Sequence, residues 1–372
     1  MRIVHTIQII YEYENVNAKK RQEAYEMAVK KELFGTTKKG ETASLYTLEN
    51  GNGMKAVVSD FGAVLVKLFV PDKNGVLQDV VWGYDEVAGY ENNGVFLGST
   101  IGRNANRIGR AVFTLNGKEY KLDENDGRNN LHGGFDGYNA RMWNAQTKDN
   151  SVIFTLESAD MDQGFPGNAL ISVTYTLKED NTLELTYDAQ ADADTVFNMT
   201  NHSYFNLDGA SSDSILEQKV WIDADAFTEA DAESIPTGRI LPVEGTPMDF
   251  REYRVIGQDI DADYEPLKFG AGYDHNWVLN NQGAFAVAAK MKSDVSGIEM
   301  TVSTDLPGMQ LYVGNFLAGE LGKNGKHYAR RSAACFETQY FPDAVNHDNF
   351  KAPVFCAGEK YHTVTSYRFA VV

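Results

Sequence analysis

Apolar and polar residues alternate with a period of two along much of this chain, a pattern that predicts β-strands. The clearest stretch is residues 171–177, where isoleucine, valine, tyrosine and leucine alternate with serine and threonine. Residues 183–187 alternate in the same way after a polar stretch at residues 178–182. Together these segments predict an antiparallel hairpin with one buried face.

Comparable runs recur from about residue 41 onward, separated by clusters of glycine, asparagine and aspartate. Their positions are 56–70, 112–115, 152–156, 298–302, 309–313 and 363–372. A turn is predicted at residues 72–75. No long helical period, linker-like stretch or internal repeat interrupts residues 41–372. The pattern therefore predicts an all-β fold built as one large antiparallel β-sandwich.

Residues 17–34 depart from this pattern, because they are charged, free of glycine and apolar at a four-residue spacing. The spaced apolar residues are Tyr25, Val29 and Leu33. Such spacing predicts a short amphipathic helix docked on the main domain, and a loose tail is the open alternative. We therefore divide the chain into an N-terminal extension of helical character, residues 1–34, and a main domain, residues 35–372.

The charge balance excludes several classes of partner. Lysine and arginine number 34 against 52 aspartates and glutamates, for a net charge of -18. Such a surface repels phosphate backbones and anionic lipids, so we expect neither nucleic acid nor a membrane as a partner. Cys335 and Cys356 are too few for a disulfide framework, and the N-terminus lacks the continuous apolar core of a signal peptide. We therefore expect a cytoplasmic protein.

Five short polar clusters interrupt the strand pattern, at residues 102–108, 131–135, 198–207, 272–277 and 335–346. In the third, His202 stands among polar side chains, and histidine exchanges protons near neutral pH. In the fifth, Glu337 lies in a strand-like run beside Phe336, where apolar neighbours raise a carboxyl pKa as a general base requires. Two plainer interpretations stay open: a histidine satisfied by nearby hydroxyls, and a glutamate that faces solvent.

Other residues of these clusters and one strand amide suit a ligand rich in hydroxyl groups. Arg107 presents a planar fork of donors beside the amide of Asn106, and His132 precedes two glycines that let the backbone approach a ligand. Asp274 sits beside aromatic residues, and Gln310 lies in a strand. Equally open are an ion pair for Arg107, a self-bonded turn for Asp274 and a cross-strand bond for Gln310.

Two alternative chemistries lack their required residues. The His-Gly-Gly sequence at 132–134 also occurs in esterase oxyanion loops, but the chain has no G-x-S-x-G nucleophile elbow and no alternation of strands with helices. His132, His202 and His275 show none of the spacings typical of zinc ligands, and the cysteines form no C-x-x-C pair. We therefore expect no hydrolase, no metal site and no cofactor.

The most specific signal is the order of five motifs. They are Gly-Arg-Asn-Ala-Asn-Arg-Ile at 102–108, Leu-His-Gly-Gly at 131–134, Asn-His-Ser-Tyr-Phe-Asn-Leu at 201–207, Tyr-Asp-His-Asn at 273–276 and Glu-Thr-Gln at 337–339. In this order they closely resemble the galactose mutarotase (aldose 1-epimerase) family, over nearly all of the chain after about residue 35. The resemblance implies a galactose mutarotase-like supersandwich, with a sugar bound in an open cleft on one sheet.

The resemblance also implies roles for individual residues. The family's catalytic acid matches His202, and its catalytic base matches Glu337. Its hexose-binding positions match Asn106, Arg107, His132, His202, Ser203, Tyr204, Asp274 and Gln310. The loop at 135–139 diverges slightly from the family pattern.

The implied activity interconverts the α and β anomers of a free hexose such as D-galactose or D-glucose, without metal or cofactor, in a monomer or homodimer. Ordinary pKa values leave histidine partly protonated and glutamate ionised near neutrality, which suits an acid and a base. Two rivals remain. A hexose-6-phosphate epimerase needs several lysines or arginines at the phosphate, and a non-catalytic carbohydrate-binding protein needs no acid and base pair.

Overall fold

The computed structural model of the protein describes residues 29–209 and 212–372. Across these ranges the chain forms thirty strands, numbered β1 to β30 in chain order, and two short α-helices, α1 (Val87–Tyr90) and α2 (Glu265–Phe269). Every ladder between the described strands is antiparallel. Neither described helix has the length and apolar character that crossing a bilayer demands.

The largest sheet has nine strands. In spatial order they are β11 (Asn144–Lys148), β12 (Ser151–Ser158), β13 (Ala169–Leu177), β14 (Thr182–Ala191), β30 (Lys360–Val371), β24 (Ile298–Thr304), β23 (Ala286–Lys292), β18 (Lys219–Ile222) and β21 (Arg254–Val255). β30 lies in the middle of the sheet, between β14 and β24. β13 and β14 form a hairpin that pairs Leu177 with Leu183, so the predicted hairpin is confirmed.

Two further sheets complete the main layers. The six-stranded sheet contains, in spatial order, β17 (Tyr204–Phe205), β28 (Ala334–Gln339), β25 (Gly308–Tyr312), β22 (Asp274–Val278), β19 (Ala226–Ala230) and β20 (Pro236–Pro242). The five-stranded sheet contains β1 (Lys30–Thr36), β2 (Thr42–Glu49), β3 (Lys55–Ser59), β4 (Val64–Pro71) and β5 (Leu77–Asp79). Five of the predicted runs each correspond to an observed strand: 112–115, 152–156, 298–302, 309–313 and 363–372.

Short paired strands lie around these sheets and carry several of the polar clusters. The pairs are β6 (Ser99–Ile101) with β16 (Thr200–His202), β7 (Arg107–Ile108) with β10 (Asn130–Leu131), β8 (Val112–Leu115) with β9 (Lys118–Lys121), β15 (Thr195–Val196) with β29 (Val354–Phe355), and β26 (Glu320–Leu321) with β27 (His327–Tyr328).

One apolar core joins the three main sheets. It includes Val58 from the five-stranded sheet, Tyr175 from the nine-stranded sheet, and Trp277, Leu311 and Phe336 from the six-stranded sheet, all fully buried. Because side chains alternate along a strand, one face of the six-stranded sheet enters this core while the other face is left for polar residues. The prediction of an all-β sandwich is confirmed.

The run predicted at 56–70 is two strands rather than one. β3 and β4 pair with each other through a turn at residues 60–63. Gly62 makes the turn possible, because its φ of +67° lies in the left-handed region. A Cβ at this position would also collide with the backbone oxygen of Asn139. The reversal therefore depends on a glycine inside a run that otherwise resembles a continuous strand.

The helix predicted over residues 17–34 is wrong at its C-terminal end. Residues 30–36 form β1, which pairs with β2 from Lys30 opposite Thr47 to Thr36 opposite Thr42. The ammonium group of Lys31 lies over the ring of Tyr46, 5.3 Å from its centroid. Pairing with β2 therefore makes residues 30–36 a strand despite the four-residue apolar spacing. The domain boundary drawn after residue 34 consequently falls inside β1. Residues 17–28 lie outside the described residues.

We expect Gly62→Ala to destabilise the protein by more than about 1 kcal/mol, since the left-handed backbone and the collision with Asn139 act together. Gly75→Ala is the matched control, because Gly75 has a φ of +76° but no atom near its missing Cβ. Denaturant unfolding of both variants measures the difference. Equal losses would contradict the role given to the close contact.

Candidate active site

The floor of the site is the outward face of the six-stranded sheet. Residues opposite each other in antiparallel strands present their side chains on the same face. One row across the sheet is Tyr204, Cys335, Tyr312 and Asp274, and the next row is Glu337, Gln310 and Asn276. Strand register therefore brings together residues that are far apart in sequence.

Seven of the nine candidate residues line a single cleft above this floor. They are Asn106, Arg107, His132, His202, Tyr204, Asp274 and Glu337. β7 and β10 pair Arg107 with Leu131, which carries the first two polar clusters to one wall. β16 places His202 at the end of a short strand beside β6. The structure thus assembles all five clusters at one position, while the chemical role of each residue stays a prediction.

The proposed acid and base are close neighbours. His202 Nε2 lies 3.6 Å from Glu337 Oε1, with side chains 6% and 3% exposed. Glu337 Oε2 is buried and has no hydrogen-bond partner in the described chain. The alternative of a solvent-facing glutamate is therefore wrong, and so is the alternative of a histidine satisfied by hydroxyls, since the ring nitrogens of His202 face Glu337 and Cys335.

Burial shifts both groups towards their neutral forms. It lowers the pKa of His202 to about 4. Burial also raises the pKa of Glu337 well above its ordinary value, the negative charge of Asp274 raises it further, and Arg107 opposes the shift. The expectation from ordinary pKa values is therefore wrong for the free cleft. A dry site disfavours an isolated imidazolium and an isolated carboxylate alike.

His132 has a defined hydrogen-bonding role. The backbone N–H of Asn106 donates to its Nδ1 at 3.1 Å, and burial lowers its pKa well below the ordinary value. A neutral imidazole that accepts at Nδ1 must carry its hydrogen on Nε2. His132 is therefore a hydrogen-bond donor through Nε2.

Arg107 is both ion-paired and part of the cleft. Its Nε donates to Asp126 Oδ2 at 2.7 Å, so the alternative of an ion pair is correct. The backbone oxygen of Arg107 also accepts a bond from the N–H of Asp343. Asp126 thus orients the guanidinium of Arg107, whose terminal nitrogens make no hydrogen bond within the described residues. Among the lining residues, Arg107 is the one lysine or arginine, beside the carboxyl groups of Asp274 and Glu337.

Gln310 and Ser203 lie outside the cleft lining. Gln310 Nε2 donates to Asp274 Oδ1 at 2.7 Å, so its amide makes a cross-strand bond that orients Asp274. Ser203 is fully buried, and its hydroxyl donates to Asn201 Oδ1 at 2.5 Å. The geometry therefore gives these two residues supporting positions rather than direct access to a ligand.

Comparisons with known proteins identify the family of this chain. The sequence profile described as aldose 1-epimerase matches residues 44–368. The chain belongs to the aldose 1-epimerase family. Galactose mutarotase from Mus musculus is 39% identical over 347 residues, covering 93% of this chain and 99% of that protein. Aldose 1-epimerase from Escherichia coli strain K12 is 37% identical over 334 residues, covering 89% of this chain and 96% of that protein.

Solved structures of the family match the same fold. The crystal structure of the aldose epimerase homologue from C. elegans superposes with a TM-score of 0.82 at 33% identity, covering 89% of this chain and 99% of that chain. The galactose 1-epimerase from Lactobacillus acidophilus gives a TM-score of 0.81 at 26% identity, covering 92% and 99%. The resemblance inferred from the motifs, and the mutarotase-like sandwich that it implied, are confirmed.

The cleft of this epimerase family member also contains a group of side chains of the types that bind metal ions. Potential ligand atoms of His132, His202 and Glu337 lie within 4.8 Å of one another. A histidine that binds a metal through Nε2 ordinarily donates its Nδ1–H to an acceptor. At His132 a backbone donor occupies Nδ1 instead. The hydrogen bonds of His132 therefore suit a hydroxyl group better than a metal ion.

Three aromatic side chains of the cleft were missed by the sequence analysis: Phe96, Tyr312 and Phe316. The ring centroid of Phe96 lies 4.8 Å from that of His132 and 5.8 Å from that of His202. Alternation along β25 could have revealed Tyr312, since it follows Gln310 by two residues. Phe96 sits in a loop with no motif, so no sequence signal pointed to it.

We expect the His202 imidazole to remain neutral from pH 7 down to about pH 5, because burial lowers its pKa to about 4. Nitrogen-15 NMR of histidine-labelled protein measures this titration, with the His202 signals assigned by their loss in His202→Ala. A midpoint near the ordinary value of about 6.5 would contradict the effect assigned to burial.

We expect Glu337→Gln to be more stable than the parent protein at pH 8. A carboxyl whose pKa is raised by folding contributes stability below its unfolded value of about 4.5 and loses it as pH rises through the folded value. Glutamine does not ionise and so avoids this loss of stability. The stability difference between the variant and the parent protein should therefore shrink as pH falls towards 4.5. Thermal unfolding at both pH values tests this, with exposed Glu124→Gln as control. A pH-independent difference would count against it.

Proposed function

We propose that this chain is an aldose 1-epimerase that interconverts the α and β anomers of a free hexose such as D-galactose or D-glucose. The observation that carries the proposal is the buried pair of His202 and Glu337, 3.6 Å apart, at the base of a cleft rich in hydrogen-bonding groups. Relatives covering nearly the whole chain that are named galactose mutarotase and aldose 1-epimerase support the same activity.

Two proton transfers are sufficient for the reaction. Glu337 takes the proton of the C1 hydroxyl while His202 protonates the ring oxygen, and the bond between C1 and that oxygen breaks to give the open-chain aldehyde. Rotation about C1–C2 exposes the other face of the carbonyl. Reversal of both transfers closes the ring as the other anomer. Each positioned acid or base contributes on the order of 10² to 10⁴ in rate.

The burial of the pair favours the ring-opened state. Before ring opening the reactive pair is an imidazolium and a carboxylate, and afterwards both groups are neutral. Low-dielectric surroundings disfavour the charged forms, as the shifted pKa values of His202 and Glu337 indicate. In the free cleft the shared proton therefore rests on Glu337, and its transfer to His202 prepares the pair for reaction.

The remaining cleft groups match a neutral sugar. His132 donates through Nε2, the terminal nitrogens of Arg107 donate, and the carboxylate of Asp274 accepts, so hydroxyls find both kinds of partner. Phe96 and Phe316 add apolar surfaces suited to the C–H groups of a sugar ring.

Both rivals fit these observations less well. A phosphorylated hexose would meet one arginine that is already paired with Asp126, and two carboxyl groups, Asp274 and Glu337. A protein that only binds sugars has no need of an acid and base pair, whereas His202 and Glu337 lie 3.6 Å apart in this cleft.

The cellular setting is part of the same proposal. A net charge of -18 supports the absence of nucleic-acid and membrane partners. Cys335 and Cys356 are both free thiols, which supports a cytoplasmic location. We expect a monomer or a homodimer.

We expect Glu337→Gln and His202→Ala each to lose at least about 100-fold in turnover while remaining folded, because each removes one proton-transfer group. Asp274→Asn should mainly raise KM. Polarimetry of freshly dissolved α-D-galactose and α-D-glucose measures the rates, and Glu124→Gln on the surface is the control. Normal activity in Glu337→Gln, with the fold verified by circular dichroism, would exclude the assignment.

A further inference from the structure

The imidazole of His202 meets side chains of a single strand at both of its nitrogens. Nε2 lies 3.6 Å from Glu337 Oε1, and Nδ1 lies 3.5 Å from Cys335 Sγ. Cys335 and Glu337 are two residues apart in β28, so both side chains leave the strand on the face that forms the cleft floor. β28 therefore carries both Glu337, the proposed base, and Cys335, which lies beside the other ring nitrogen of His202.

Cys335 is placed to act on His202 rather than on a sugar. It is fully buried and does not line the cleft. Tyr204 and Tyr312 lie opposite it in the neighbouring strands. Within residues 29–209 and 212–372, His202 Nδ1 is the one hydrogen-bond partner of its sulfur. Any contribution of Cys335 to the reaction must therefore pass through the histidine.

An imidazole that exchanges protons through Nε2 has to keep its other hydrogen on Nδ1. In the neutral ring, the position of the single hydrogen is set by the bond that the other nitrogen makes. We propose that Cys335 is a positioning residue: its sulfur accepts the Nδ1–H of His202 and so keeps the Nε2 lone pair free for Glu337 and the sugar. The kinetic part of this inference rests on the proposed function, whereas the tautomer does not.

A thiol has a different effect from the carboxylate that often occupies this position beside a catalytic histidine. A carboxylate would stabilise the imidazolium. Burial raises the pKa of Cys335 well above its ordinary value, so the side chain stays an uncharged thiol, whose sulfur is a weak acceptor and whose S–H is a weak donor. It can select the tautomer of His202 without increasing the charge that the ring carries.

The test compares the parent protein with Cys335→Ala, Cys335→Ser and the matched control Cys356→Ala, whose cysteine is exposed. Nitrogen-15 NMR of labelled histidine reads the tautomer of His202, and polarimetry gives kcat and KM. We expect the parent ring to carry its hydrogen on Nδ1. Cys335→Ala should populate the Nε2–H tautomer and lower kcat about threefold to tenfold, the scale of one hydrogen bond, with KM nearly unchanged.

Cys335→Ser should fall between the parent and the alanine variant, because an oxygen also accepts but lies on a shorter side chain. If Cys335→Ala does not fold, the serine variant decides. An Nε2–H tautomer in the parent protein overturns the inference, and so does a loss of kcat without a change of tautomer. If the parent does not accelerate mutarotation, the proposed function fails, while the NMR result still decides the tautomer.

Discussion

The antiparallel register of the six-stranded sheet is the constraint on which the site depends. A shift of one residue in β28 would send Glu337 into the apolar core and bring Phe336 to the cleft. The pairing with β25 would move with it, and Gln310 would no longer lie opposite Glu337. The same register buries Leu311 and Phe336 on the inner face, so the forces that hold the core together also fix the positions of the reactive groups.

Burial of an acid and a base without full hydrogen bonding is destabilising. Glu337 and His202 are removed from water beside Phe96, Tyr204 and Tyr312. The buried ammonium group of Lys323 is, by contrast, fully partnered: Lys323 Nζ donates to Asp79 Oδ2 and to the backbone oxygens of Val66 and Val81. Lys323 thus stabilises the fold, whereas Glu337 and His202 keep hydrogen-bonding capacity that a ligand can use.

Much of this architecture could be predicted from sequence, because alternation reports directly on the two faces of a strand. Glu337 was a candidate for that reason, and its partner, His202, came from a separate polar cluster at residues 198–207. The ionisation of the pair was not predictable, since ordinary pKa values describe a solvated group. Asp126 and Phe96 were missed because they reach Arg107 and the histidines through loops whose path only the folded chain defines. Residues 30–34 were misassigned because hydrogen bonding to β2 at the sheet edge stabilises a strand there, although the apolar spacing is that of a weak helix.

The position of β30 has a consequence for how the chain reaches its folded state. β11 to β14 form one half of the nine-stranded sheet, and β24, β23, β18 and β21 form the other, yet β30 alone joins the halves although it follows all of them in the chain. Until it inserts, β14 and β24 present unpaired edges that can associate with other chains. Such late, long-range closure favours slow folding, so nascent molecules of this protein have a prolonged period of vulnerability to aggregation.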